Sequence, residues 1–122
     1  MTQTALADRL RLVVSSSTQA SSDFDLNADP PPVAELRSAA VLVAIEGSDD
    51  NPKVILTKRA SGLRHHPGQI AFPGGKSDRS DSDAVATALR EAREEIGLLS
   101  HHVDPIGALP AHRTVTGFSV VP

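Results

Sequence analysis

The chain has no cysteine, tryptophan or tyrosine, and only three phenylalanines among its 122 residues. Without thiols it forms no disulfide and no thiolate metal site, which fits a reducing compartment. With so few rings it lacks the aromatic platforms on which single-stranded nucleic acid stacks. An excess of basic residues is missing too. Twelve Lys and Arg face fifteen Asp and Glu, so the net charge is −3 and there is no basic footprint for a nucleic-acid backbone. No apolar run approaches the roughly 20 residues that a membrane-spanning helix needs. Met1 to Val14 lacks the basic start and apolar centre of a signal peptide. These absences leave a one-domain chain with a modest core. It is expected in the cytoplasm, acting on a small molecule rather than on nucleic acid or a membrane. Composition carries no signal for an oligomeric state.

What is there alternates between α and β patterns without a repeat. Leu6, Leu10 and Val13 recur at helical spacing within Thr4 to Val14, which predicts a short amphipathic helix. Ser15 to Pro32 is rich in Ser, Asp and Pro and reads as an extended linker. Residues 1–35 are therefore assigned to a helix and linker, and 36–122 to the functional domain. Ser38 to Glu46 is an apolar run of strand length, expected to be buried on both faces. Gly47 to Pro52 reads as a turn and Lys53 to Lys58 as a second strand, completing a hairpin. Further strands are expected at Gln69 to Phe72, Val103 to Ala108 and Thr116 to Val121. The principal helix is expected over Ser82 to Ile96. Ser80, Asp81, Ser82 and Asp83 offer N-cap oxygens, and Gly97 stands where a C′ glycine would end it. Ala84, Val85, Ala88, Leu89, Ala92 and Ile96 form its expected buried stripe.

That helix carries the most informative residues, Arg90-Glu91-Ala92-Arg93-Glu94-Glu95-Ile96-Gly97-Leu98. Glu91, Glu94 and Glu95 are spaced i, i+3 and i+4, so they share a face, where like charges cost a few tenths of a kcal/mol per pair. Arg90 and Arg93 offset part of that cost. A divalent cation on the carboxylate oxygens would offset more, and Mg²⁺ usually binds through one or two carboxylates plus a substrate phosphate. A solvated face laced with Arg–Glu pairs is the other reading. Phe72-Pro73-Gly74-Gly75 precedes the helix and is expected to be a rigid turn followed by two residues free to adopt positive φ. Such a loop lets backbone approach a pyrophosphate closely.

The spacing from Gly75 through Asp81 to Arg90–Leu98 resembles the Nudix box, G-x5-E-x7-R-E-U-x-E-E-x-G-U, with U aliphatic. Asp81 stands where the pattern has Glu, one residue is inserted before Arg90, and Ala92 is small for the aliphatic position. The Arg-Glu-x-x-Glu-Glu core is intact. A second stretch, Ile55-Leu56-Thr57-Lys58-Arg59-Ala60 with Arg64, Gly68 and Phe72-Pro73-Gly74-Gly75, is similar to the L-L-T-x-R-S…R-x3-G-x3-F-P-G-G signature of coenzyme A pyrophosphatases. Ile55 and Ala60 are its mismatches, and the inserted residue also looks like that subgroup.

The resemblance implies an α+β fold of the Nudix type, an α/β/α sandwich with a mixed sheet. It also implies Mg²⁺- or Mn²⁺-dependent hydrolysis of coenzyme A or its derivatives to 3′,5′-ADP and 4′-phosphopantetheine. The alternatives are another nucleoside diphosphate derivative, such as ADP-ribose or NADH, or a non-catalytic nucleotide-binding fragment. Glu91 and Glu95 are the first choice of metal ligands. Glu94 is a third ligand or the group that holds or deprotonates a water, and the Gly75 carbonyl completes the shell. Arg90 joins the catalytic set by orienting Glu91 through a salt bridge. Arg59 and Arg64 are candidate anion binders because guanidinium forks match phosphate oxygens, and Gly74 and Gly75 complete the substrate-binding set. His65 and His66 fit loop or phosphate contacts better than a metal, since no second N or S ligand is suitably spaced. His101 and His102 read as surface. Gly75-Lys76-Ser77 imitates the end of a P-loop, but that motif needs glycine where Ile70 stands. Val120-Val121-Pro122 ends inside an apolar run, whereas family members continue through further strands and a terminal helix. A C-terminally truncated domain is the expectation, with any additional acidic ligand or base lying in the part beyond.

Overall fold

Successive residues of a strand face opposite sides of its sheet, and Ala39 and Ala40 are both buried, at 8% and 1% exposure. The strand that carries them is thus covered on both faces, as the apolar run had suggested. In the computed structural model, which describes residues 5–22, 36–47, 49–58 and 68–122, this strand lies inside a five-stranded mixed sheet. In chain order the elements are α1 (Ala5–Ser16), β1 (Ser21–Ser22), β2 (Arg37–Val41), β3 (Ile45–Glu46), β4 (Lys53–Val54), β5 (Thr57–Lys58), β6 (Ile70–Ala71), β7 (Gly74–Lys76), α2 (Ala84–Ile96), a 3₁₀ turn (Ser100–His102), β8 (His112–Arg113) and β9 (Phe118–Val121). The sheet order is β1-β8-β9-β2-β7, and β3/β4 and β5/β6 form separate two-stranded ladders.

β2 runs parallel to β9, pairing Arg37 with Phe118 and Ala40 with Val121. It runs antiparallel to β7, pairing Ala40 with Gly75 and Val41 with Gly74. The expected single strand from Ser38 to Glu46 is divided, because no one neighbour spans it. Leu42 N donates to Pro73 O at 2.7 Å, and Ala44 O accepts from Ile55 N at 3.0 Å, so the chain passes from one partner to another. Lys53 to Lys58 divides for the same reason, β4 pairing with β3 and β5 with β6. The turn between β3 and β4 falls where composition placed it. Gly47 has φ +96°, and a Cβ there would stand 2.7 Å from the Asn51 carbonyl oxygen.

Three expectations are corrected. Val103 to Ala108 is irregular rather than a strand: Pro105 removes a ladder donor, and Gly107 lies so close to α1 that a Cβ would stand 2.8 Å from Val14 Cγ1. The Ser15 to Pro32 linker contains the last turn of α1 and the two-residue β1, which pairs in parallel with β8; Ser21 Oγ lies 2.7 Å from His112 Nδ1. Residues 23–32 of the linker, like Arg59, Arg64, His65 and His66, lie outside the described residues. Finally, Val85 is 38% exposed instead of buried. It lines an apolar cleft of about 670 Å³ that α1 and α2 border together with the β2–β3 segment.

α2 is set by its ends and its small residues. Asp83 is extended (φ −161°, ψ −176°) and its Oδ1 accepts from Ala86 N at 2.8 Å, an N-cap of the expected kind. Gly97 has φ +69° and returns its N–H to the carbonyls of Ala92 and Arg93. Ala88 and Ala92 are buried at 6% and 0% exposure. Side chains that small bring the helix axis close to β2 and β7, the two strands it packs against. Among the described residues no helix is long and apolar enough to cross a membrane.

Candidate active site

The close packing of α2 on β7 decides how the glycines before it are used. Gly74 and Gly75 are not in a left-handed turn; both are strand residues, and neither is among the glycines with positive φ. Their value is the missing Cβ. At Gly74 a Cβ would collide with the Ala40 carbonyl oxygen and stand 2.6 Å from Val41 Cα. At Gly75 it would stand 2.7 Å from Glu91 Cδ and 2.8 Å from Glu91 Oε1. The Glu91 carboxylate therefore rests against the bare backbone of Gly75, which brings together two of the expected metal-site residues.

Arg90 holds that arrangement. Its Nε donates to Asp81 Oδ1 at 3.0 Å, and its Nη2 donates to Asp81 Oδ2 at 2.9 Å and to the Lys76 carbonyl at 3.0 Å. Its Nη1 donates to Glu91 Oε1 at 3.0 Å and to Glu94 Oε2 at 3.3 Å. A guanidinium has five N–H donors, and these contacts engage all five. All of these partners are protein oxygens, and the Glu91 carboxylate is one of them.

Asp81 is the buried end of this network, with its side chain 5% exposed against 26% for Arg90. It also accepts from Asp78 N at 2.8 Å and from Thr87 Oγ1 at 3.0 Å. The Arg90 donors, the Asp78 amide and the Thr87 hydroxyl hold its carboxyl well below the usual carboxylate range, against a smaller opposing effect of burial. The same pairing raises Arg90 above its ordinary value. The motif position that departs from the Nudix pattern by one methylene is therefore the anchor of the guanidinium. Its partner Thr87, fully buried in α2, was absent from the stripe read from the sequence. A buried threonine amid alanines six positions after an aspartate is the signal that could have found it.

Glu94 is 58% exposed and Glu95 is exposed beside it, while Glu91 is the most sheltered of the three. They share α2, yet among the described residues no three acidic or histidine side chains converge into a metal-holding group. Arg90 occupies the space between Glu91 and Glu94. The donors present are all oxygen, two carboxylates one turn apart and a strand backbone that no Cβ obstructs. That set suits a hard divalent cation completed by substrate phosphate oxygens. Lys76 lies in β7 opposite Ala39, which leaves no phosphate-cradling loop there. His101 and His102 are exposed on the 3₁₀ turn, as expected.

The likeness to known proteins follows the same residues. Residues 36–122 match the NUDIX domain family. A protein described as uncharacterized Nudix hydrolase NudL from Enterobacter sp. (strain 638) is 49% identical over 90 residues, 74% of this chain and 46% of that protein. One of the same description from Pectobacterium atrosepticum is 45% identical over 101 residues, covering 81% and 52%. Another, from Klebsiella aerogenes, is 48% identical over 92 residues, covering 75% of each. The chain spans about half the length of the first two. A crystal structure of a NUDIX hydrolase from Alicyclobacillus acidocaldarius superposes with a TM-score of 0.48 at 37% identity, over 57% of this chain and 40% of that one. The mixed sheet, the α2 carboxylates and a matched region running from just before β2 through β9 lead to one assignment: this chain belongs to the Nudix family.

Proposed function

We propose that the chain carries the metal and water-handling elements of a pyrophosphatase that cleaves coenzyme A or its derivatives into 3′,5′-ADP and 4′-phosphopantetheine. The observation that carries the reaction class is Glu91 lying on bare Gly75 backbone, held there by an Arg90 whose donors are all engaged. Glu91 and Glu95 would hold Mg²⁺ or Mn²⁺, with Glu94 and the Gly75 carbonyl as further oxygen donors. Such an ion, when bound, neutralises phosphate charge and acts as a Lewis acid on the bond being cleaved.

The remaining steps belong to the chain. Glu94, exposed at the rim of the Arg90 network, is proposed either to be that further donor or to accept the proton of the water that attacks phosphorus. The attack breaks the P–O bond of the anhydride, and the two products leave as phosphate monoesters. Asp81 and Arg90 keep Glu91 from swinging away, so the ligand is positioned before substrate arrives. Glycine at 74 and 75 keeps the backbone low beside the site.

The substrate rests on the second motif. Its arms are adjacent: β5 pairs Thr57 with Ala71 and Lys58 with Ile70, and Thr57 Oγ1 donates to Ala71 O at 3.1 Å. The chain leaves this ladder after Lys58 and returns to it at Ile70, three residues before Pro73 and Gly74. Arg59 and Arg64, which lie in that stretch of sequence, are proposed to bind the substrate's phosphates. The test is Mg²⁺-dependent hydrolysis of coenzyme A, ADP-ribose and NADH by this chain and by a C-terminally extended form. Preference for coenzyme A by at least tenfold in kcat/KM is expected. Preference of the extended form for ADP-ribose or NADH would overturn the substrate while leaving the reaction class in place.

A further inference from the structure

Thr87 is fully buried in the middle of α2, between alanines at 86 and 88. A buried hydroxyl costs free energy unless it is hydrogen-bonded, so its partners decide why it is tolerated. Its Oγ1 lies 3.0 Å from Asp81 Oδ2, 3.0 Å from Ser77 Oγ and 3.3 Å from the Asp83 carbonyl. A hydroxyl has one proton to donate and two lone pairs. The Asp81 carboxylate can only accept, and a charge-assisted bond to it is the strongest available. Ser77 Oγ accepts from Thr87, so it shares that hydroxyl with Asp81. The three side chains thus meet at the Thr87 hydroxyl, next to the carboxylate that grips Arg90.

The geometry continues without a gap. Asp81 takes Arg90 at Nε and Nη2, and Arg90 holds Glu91 Oε1 at 3.0 Å. Asp81 accepts from the Asp78 amide, the Thr87 hydroxyl and the Arg90 guanidinium, so loss of the Thr87 hydroxyl leaves the carboxylate held by Asp78 and Arg90 alone. We propose that Thr87 is a positioning residue for Glu91: its buried hydroxyl fixes Asp81, Asp81 fixes Arg90, and Arg90 fixes the carboxylate over Gly75. This rests on the reading of Glu91 as a metal ligand. It adds Thr87, which lies outside the Arg90–Glu95 core, to the residues that determine cation affinity.

The experiment is Mn²⁺ binding to the full chain, followed by electron paramagnetic resonance of the free ion, with melting in EDTA as a separate measure of folding. Outer partners of metal ligands change affinity by about 10–100-fold. Thr87→Val keeps the shape and removes the hydroxyl, and is expected to weaken Mn²⁺ by about tenfold. Thr87→Ser keeps the hydroxyl and should bind within about twofold of the parent chain on the same scale. Thr87→Ala also removes the hydroxyl, is expected to weaken Mn²⁺ by about tenfold, and serves the test if Thr87→Val does not fold. Parental affinity in a folded Thr87→Val, or in Thr87→Ala if the former is unfolded, overturns the inference. Glu91→Gln separates the two layers. If it loses Mn²⁺ while the Thr87 variants that lack the hydroxyl keep it, only the role of Thr87 falls; if it binds like the parent, both fall.

Discussion

Arg90 meets Asp81 as a fork on a fork, Nη2 at 2.9 Å from Oδ2 and Nε at 3.0 Å from Oδ1, with the aspartate buried and the arginine at the edge. Removing one partner of such a pair leaves the other with donors or charge unmet. Asp81→Asn is therefore expected to lower the melting temperature by several degrees and to weaken cation binding together with it. Circular dichroism melts and a Mn²⁺ titration check the two effects.

The same pair sets an acid limit. Folded Asp81 titrates below its unfolded value, so the stability it lends is complete above about pH 4 and is lost as pH falls toward the folded pKa. Between about pH 4 and pH 2 the melting temperature of the parent chain should fall more steeply than that of Asp81→Asn. Parallel curves would show that Asp81 adds no acid sensitivity.

The two glycines of β7 predict opposite phenotypes. A Cβ at Gly74 meets the backbone of β2, which cannot yield without opening the sheet, so Gly74→Ala should fail to fold or melt far earlier. At Gly75 it meets the Glu91 side chain, which can move. Gly75→Ala should fold and lose about 10–100-fold in metal affinity, the range for a displaced ligand shell.

Glu95 is exposed, so Glu95→Gln should leave the melting temperature within a degree or two of the parent. The expected loss is in turnover, at least about 100-fold in Mg²⁺-dependent kcat, on the scale of a positioned catalytic group. Equal turnover would remove Glu95 from the site.

Asp83 closes the first turn of α2 by accepting from Ala86 N. Asp83→Ala should cost about 1 kcal/mol of stability, readable as a shift in the urea midpoint. Because Arg90 lies two turns further on, cation affinity should change less than in Asp81→Asn.

Features fixed by local chemistry were legible in the sequence. Asp83 and Gly97 bound α2 because a cap needs only its own neighbours, and the β3/β4 turn followed from Gly47 and its surroundings. Features fixed across the sheet were not. Gly74 and Gly75 read as two residues free to adopt positive φ after a rigid turn, because sequence shows what glycine permits and not which backbone will press against it. Ser21–Ser22 has no strand signature of its own and is a strand only because β8 lies beside it. Thr87 reads as a neutral helix residue until Ser77 and Asp81 close around it. At the site, Glu91, Glu94 and Glu95 fall on α2 as their spacing implies, but Glu91 is sheltered and the other two are exposed. That Arg90 would spend every donor on its neighbours needed coordinates.

The parallel ladder between β2 and β9 has a consequence for how the fold assembles. It joins Arg37 to Phe118, so most of the domain must be gathered before its first hydrogen bond can form, whereas β7 and α2 are nearly consecutive in the chain. Closing a long loop is entropically costly before any contact repays it. The carboxylate helix and its glycine strand can therefore meet early, with β9 arriving between β8 and β2 as the slow kinetic event.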